Sequence, residues 1–425
     1  MKPNIILFIT HDQGQYLGCY NSPQTPNSLN TPNIDKLAAR GIKFTNYFCT
    51  APQCSPSRGS IQTSLYPHQN GLMGLANLGW SLPNFNKTLQ MYLRENEYST
   101  HLVGLQHETN RVEDLGYDDV SKRMKDYKYS IKNVIPALIE FLKNHEKDKK
   151  PFYVNVGTIE SHRPFIVWND PVPPSKVKVP PFLPDNEMIR EDLGQFYGAV
   201  EIVDKGIGEI LAFLEDSPLF DNTLFIYTTD HGIAFPRAKC TLYDPGLKTS
   251  LIMSLPSSEY FSGGKVFNQM ISNIDLLPTI LDLIKAQILK SLEGKSFLKV
   301  LMGESDSFRE FIFAEKTFHE IYDPIRGIRT ERYKYIYNFK PLDTLYQVPR
   351  DISMGLSGKC MKDHYNNPRL TEELYDLEND PNEFANLSEN SDYNDIKESL
   401  KKKLFEWMRR TNDPILKGDI KKEDL

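Results

Sequence analysis

Asn4-Ile5-Ile6-Leu7-Phe8-Ile9-Thr10-His11-Asp12 is the stretch whose reading decides the fold. Its apolar run is rich in isoleucine and nearly continuous, without the in-out alternation of a half-exposed strand. That pattern predicts a parallel strand buried on both faces. The run is far too short to span a membrane. It ends in His11 and Asp12, which places chemically capable groups at the carboxyl end of the strand.

Working outward, Thr31-Pro32-Asn33-Ile34-Asp35 opens a helix with a cap-and-proline signal, Gly41 stops it, and Ile42 to Tyr47 reads as the next strand. Thr100 to Leu105, Phe152 to Gly157 and Leu224 to Thr229 repeat the short apolar run that ends beside polar residues. A long helix is predicted from Arg190 to Leu214, with Leu193, Phe196, Val200, Val203, Ile207, Ile210 and Leu214 on one face. Strands alternating with helices imply an α/β fold with a large, mostly parallel sheet flanked by helices. Ligands bind such sheets beyond the carboxyl ends of the strands. His11, Asp12, His107, His162, Asp230 and His231 all fall there.

After Ser305-Asp306-Ser307 the pattern changes to short strand-like runs at Phe311 to Ala314 and Tyr333 to Tyr337, then an amphipathic helix near Ile396 to Met408. The reading is a catalytic α/β domain over 1–305 and a smaller α+β subdomain with an antiparallel sheet over 306–425. The charged tail after Lys417 reads as solvated.

The chain has 425 residues, 40% hydrophobic and 25% charged, which fits a folded globular protein rather than a disordered or fibrous one. Lys plus Arg number 50 against 56 for Asp plus Glu, a net charge of -6. That balance gives no footprint for nucleic acid or for an anionic membrane surface. Five cysteines, an odd number, argue against a disulfide framework. No signal peptide is visible as written, so the expected location is cytoplasmic, or periplasmic or secreted if a leader is missing.

Cys54-Ser55-Pro56-Ser57-Arg58 follows a loop and precedes a predicted helix, so Cys54 is expected at a helix N-terminus, where thiols are activated. A cysteine two residues before proline and four before arginine resembles the motif read by enzymes that oxidise cysteine to formylglycine. With it the chain resembles the sulfatase family. Asn4 to Asp12 resembles that family's first strand and metal corner, and Thr31 to Gly41 its first-helix signature. Tyr197 to Leu211 resembles its central helix, Asp230-His231-Gly232 its second metal corner, and Glu373 to Leu387 its C-terminal signature.

The resemblance implies an alkaline-phosphatase-like fold and a metal- and formylglycine-dependent sulfatase. In that mechanism one hydroxyl of a geminal diol at residue 54 attacks sulfur and the other later expels sulfate. It implies a formylglycine-generating enzyme as maturation partner, a sulfated saccharide as substrate, and leaves a homodimer open. By the same resemblance His11, Asp12, Cys54, Asp230 and His231 are the metal set, and Cys54, Arg58, His107, His162 and Lys239 are catalytic. The family's ion is calcium. His11 departs from the usual second aspartate: if it ligates, two imidazoles would admit manganese or zinc, and the alternative is that it only hydrogen-bonds within the site. Leu105 also departs, standing where the family has a sulfate-contacting lysine.

Within the family the resemblance is strongest to the sulfamidases that cleave N-linked sulfate from glucosamine of heparan sulfate. Pro67-His68-Gln69-Asn70-Gly71, Leu242 to Gly246, and His319-Glu320 before Tyr322 to Arg326 carry it. It makes Glu160, His319, Glu320 and Arg326 candidates for recognising the sugar, with a salt-bridged interface as the competing reading of Arg326. An O-sulfatase on another polysaccharide, a metal-dependent phosphodiester or phosphonate monoester hydrolase, and a non-catalytic glycan binder remain open.

Overall fold

The computed structural model describes residues 2–121, 129–165, 170–340 and 342–422. The opening run forms β1 (Asn4–Thr10), every residue of it buried. Around it lie β2 (Ile42–Phe48), β3 (Ser99–Gly104), β4 (Asp119–Val120), β5 (Phe152–Gly157), β6 (Thr223–Thr229), β7 (Lys248–Ser254), β8 (Lys265–Phe267) and β9 (Ile271–Ser272). The sheet runs β4-β3-β5-β1-β6-β7-β2-β8, with β9 beside β2. Strand β1 is parallel to β5 and β6, and β3 is parallel to β5. Strand β7 runs antiparallel to both β6 and β2, so the sheet is mixed.

Two apolar layers explain why β1 has no polar face. On one side Ile6 and Phe8 join Ile34, Leu37, Val134, Leu138 and the inner face of the Glu187–Glu215 helix. On the other, Ile5, Leu7 and Ile9 meet Ile61, Leu89, Leu277 and Ile280. Full burial of each such side chain is worth about 1.5–3 kcal/mol, which the alternating faces of β1 collect on both sides.

A second sheet follows: β10 (Ile312–Phe318), β11 (Tyr322–Arg329), β12 (Tyr333–Asn338) and β13 (Glu372–Asp376), antiparallel throughout and in sequence order. One face packs through Ile312, Ala314, Ile325 and Ile336 on Leu242 and Leu247 of the main unit. The Asn394–Arg410 helix covers the other face through Leu400, Leu404, Trp407 and Met408.

The tail after Lys417 is not simply solvated. Ile420 is buried, its N–H donating to the Tyr322 hydroxyl at 2.8 Å, and Lys422 Nζ donates to the Leu78 carbonyl at 2.9 Å. The last three residues lie outside those described. All five cysteines are free thiols. No helix among the described residues is long and apolar enough to cross a membrane.

Candidate active site

Because β1 and β6 are parallel neighbours, with Thr10 paired to Thr229, their exits place Asp12 and Asp230 side by side. Asp12 takes a positive φ of 49°, a left-handed conformation that aspartate tolerates better than most residues. Its N–H donates to Asp230 Oδ1 at 3.0 Å, and the His231 N–H donates to the same oxygen at 2.9 Å. One carboxylate oxygen thereby locks both corners.

Cys54 opens the Cys54–Thr63 helix, whose residues are all buried. Arg58 fixes that helix to the corner: its Nε donates to Asp230 Oδ2 at 3.1 Å and its Nη2 to the Thr10 carbonyl at 3.1 Å. The Cys54 Sγ then stands 3.2 Å from His231 Nε2 and 3.6 Å from Asp12 Oδ1. Burial pushes its thiol up from the ordinary value, and this outweighs the opposing Lys239 charge. The expectation of a thiol activated by its helix terminus therefore does not hold for the free cysteine.

Ligand atoms of His11, Asp12, Cys54 and Asp230 all lie within 4.8 Å of one another. His11 Nδ1 is 3.1 Å from Asp230 Oδ2, yet neither ring nitrogen makes a hydrogen bond. Burial is the main reason that the His11 imidazole drops to about 4, so the ring is neutral near pH 7. Two carboxylates and an unpartnered neutral imidazole form a donor set suited to a divalent cation. The His107 and His162 rings pack on His11 with centroids 5.6 and 5.4 Å away. Burial, with the nearby His11 and Arg58, also keeps His107 well below the usual histidine range.

Lys239 reaches this cluster because the loop after β6 folds back, its N–H donating to the Ile233 carbonyl at 3.1 Å. Its Nζ donates to Asp12 Oδ2 at 2.8 Å and to Asp351 Oδ2 at 3.0 Å. Burial works against both charges. Even so, Asp12 and Asp351 hold the ammonium well above its usual value, and Lys239 followed by His162 and His231 holds Asp12 well below.

The sulfatase family profile matches residues 3–286, more than half of the chain. The chain belongs to the sulfatase family. It is therefore a hydrolase of sulfate esters or sulfamates. A second profile, described as the C-terminal part of N-sulphoglucosamine sulphohydrolase, matches residues 232–354.

Among its relatives, an ulvan-active sulfatase of Formosa agariphila is 33% identical over 100% of this chain and 82% of its own. Human N-sulphoglucosamine sulphohydrolase is 29% identical over 97% of this chain and 91% of its own. A protein solved with its substrate D-glucosamine-2-N,6-O-disulfate shares the fold at a TM-score of 0.75, with 20% identity, covering 97% of this chain and 99% of that one.

In this sulfatase the residues assigned to the sugar divide. His319 is only 7% exposed, and both its ring nitrogens lack partners. Burial, then the Lys239 charge, lowers its imidazole to about 3, leaving a neutral ring beside the cluster. Glu160 requires correction. Its carboxylate accepts from the Ser130 hydroxyl at 2.8 Å and the Ile131 N–H at 2.9 and 3.0 Å, capping the Ile131–His145 helix. Only its backbone touches the site, through a carbonyl that accepts the His11 N–H at 3.1 Å.

Arg326 is the second correction. It is fully buried, pairs with Asp413 at 2.5 and 3.0 Å, and donates its remaining arm to the Lys316 carbonyl at 3.0 Å. With His68 and Glu315 it forms a buried network joining the second sheet to the C-terminal turn. Fully buried, it offers a substrate no access to its guanidinium.

Glu320 is exposed and accepts the Arg350 N–H at 3.0 and 3.1 Å. It thereby holds the start of the Arg350–Ser353 helix, which carries Asp351. Sequence reasoning missed Asp351, which lies in a connection without apolar periodicity, and a proline before Arg350 was the only local signal. It also missed Glu108, a buried carboxylate that accepts the His107 N–H at 2.7 Å. Leu105 directly follows β3, its N–H donating to the Gly157 carbonyl at 2.8 Å, and brings no charge to the rim.

Proposed function

We propose that the chain is a formylglycine- and divalent-metal-dependent sulfatase of sulfated saccharides, with N-sulfoglucosamine as its preferred sulfated unit. The observation that carries it is the placement of the Cys54 Sγ at the start of a buried helix, between His231 and Asp12. The sulphohydrolase profile over residues 232–354 supports the N-sulfated sugar.

Formylglycine made from Cys54 would supply a geminal diol, one hydroxyl to attack sulfur and the other to expel sulfate. His11, Asp12, Asp230 and His231 would hold a divalent cation, which would supply Lewis acidity at the sulfate. The chain's own groups do the rest. Arg58 holds Asp230 in place, and Lys239 stands at Asp12 Oδ2 as a cation for an incoming sulfate.

His162 is the proton donor to the leaving nitrogen or oxygen. Its Nδ1 is spent on the Arg163 carbonyl, and its Nε2 lies 3.8 Å from Asp12 on the open side. His107, neutral and packed on His11, turns an Nδ1 without a hydrogen-bond partner to the cluster. His319 offers an uncommitted ring nitrogen to a sugar hydroxyl.

A second reading is an O-sulfatase on another polysaccharide, favoured by the 33% identity to the ulvan-active relative. Sulfate release from N-sulfoglucosamine, O-sulfated glucosamine and ulvan oligosaccharides, with a phosphonate monoester alongside, separates these. Selective release from N-sulfoglucosamine is expected. Turnover of ulvan alone moves the substrate to the second reading, and faster phosphonate than sulfate turnover overturns the sulfatase assignment for this site.

A further inference from the structure

The donors of the metal site decide which ion it takes, an inference that rests on the metal-dependent reading above. His231 Nδ1 lies 2.9 Å from the Gly232 carbonyl, which can only accept, so Nδ1 is the donor. That bond turns the Nε2 face inward. Nε2 meets Asp12 Oδ1 at 2.9 Å and Cys54 Sγ at 3.2 Å. His11 repeats the arrangement, with Nδ1 3.1 Å from Asp230 Oδ2 and no hydrogen bond to either nitrogen. Each carboxylate of the pair is faced by an imidazole.

Charge points the same way. Asp12 already carries Lys239 at 2.8 Å, and Asp230 carries Arg58 at 3.1 Å. Lys239 is shared with Asp351 at 3.0 Å, so the three carboxylates and two fixed cations offer an entering ion a single net negative charge. Calcium binds through oxygen and its affinity follows the number of charged ligands. Imidazole nitrogen favours transition metals. We infer that His11 and His231 make this a site for a first-row transition-metal ion, zinc or manganese, in place of calcium.

The test strips the full chain with chelator, counts metal per chain by elemental analysis after reloading, and titrates CaCl2, MnCl2 and ZnCl2 by calorimetry. One ion per chain is expected, with manganese or zinc bound at least tenfold more tightly than calcium. His11→Asp should shrink that preference by tenfold or more, and His231→Asn is the second variant should the first fail to fold. Calcium binding as tightly as manganese and zinc overturns the inference, as does an unchanged preference in whichever variant folds. Sulfate release supported by calcium alone overturns the inference and leaves the sulfatase reading standing. Failure to bind any of the three ions overturns both the inference and the metal part of that reading.

Discussion

Glu160 and Arg326 are sugar-binding candidates by resemblance, Arg326 with a salt-bridged interface as its competing reading, and each spends its charge on the fold. Charged side chains inside a motif look alike in sequence whether they point at solvent or at a neighbouring helix. What separates them is burial and partner count, which belong to the tertiary structure. Glu160→Ala should lose about 1–3 kcal/mol by stranding the Ile131 N–H and Ser130 hydroxyl, with KM unchanged. Arg326→Met leaves Asp413 and Glu315 buried without their cation and should cost about 3–5 kcal/mol. Urea unfolding measures both, and a raised KM at unchanged stability would return either residue to the sugar site.

Asp351 is the opposite case, unremarkable in sequence and 3.0 Å from Lys239 in space. Asp351→Asn removes one of the two carboxylates that position Lys239 and should lower kcat/KM by about tenfold or more while costing about 1.5–3 kcal/mol of stability. Unchanged kinetics with a lower melting temperature would make its role structural.

At the scale of elements, β1, β5 and the long central helix were legible because their apolar residues repeat without interruption. Strands β7, β11 and β13 were not. β11 contains Tyr322-Asp323-Pro324, and β13 reads Glu-Glu-Leu-Tyr-Asp, so their polar residues hide strands that pair between apolar neighbours. The antiparallel turn of β7 brings Lys248 to the same edge as the β6 exit, and the chain between them wraps the second corner.

That wrapping depends on Gly232, where an added Cβ would meet the Pro245 carbonyl oxygen at 1.8 Å. Gly232→Ala must therefore move the His231 corner. A displacement of about 1 Å costs on the order of 10²-fold in rate, which a kcat measurement with the metal content held constant will report. Wild-type kcat in this variant would show that the loop relaxes away from the site.

Over the whole molecule, the fold class could be read from the order of strands and helices, and most of the site from the residues at strand exits. The mutual distances could not, because they depend on β1 and β6 being neighbours although more than 200 residues separate Asp12 from Asp230. Burial also sets how stability varies with acidity. His107 and His319 are held neutral below the ordinary histidine range, chiefly by desolvation.

The unfolded chain protonates both near pH 6.5 while the native state does not, so their contribution is complete above that pH and is lost as pH falls towards the native values. Each should remove about 1.4 kcal/mol per pH unit below 6.5. The urea midpoint should drop between pH 7 and pH 5, and His319→Gln should flatten the decline. A midpoint that rises on acidification would mean that the rings are charged in the native state.

The most direct test joins chemistry to position at residue 54. The chain is produced with a formylglycine-generating enzyme, the peptide containing position 54 is weighed, and sulfate release from N-sulfoglucosamine is measured beside Cys54→Ala and Asp230→Ala. The account predicts the mass of formylglycine at residue 54, sulfate release that scales with its occupancy, and none from either variant. Sulfate released equally well by Cys54→Ala, or by protein whose residue 54 is wholly cysteine, would contradict it.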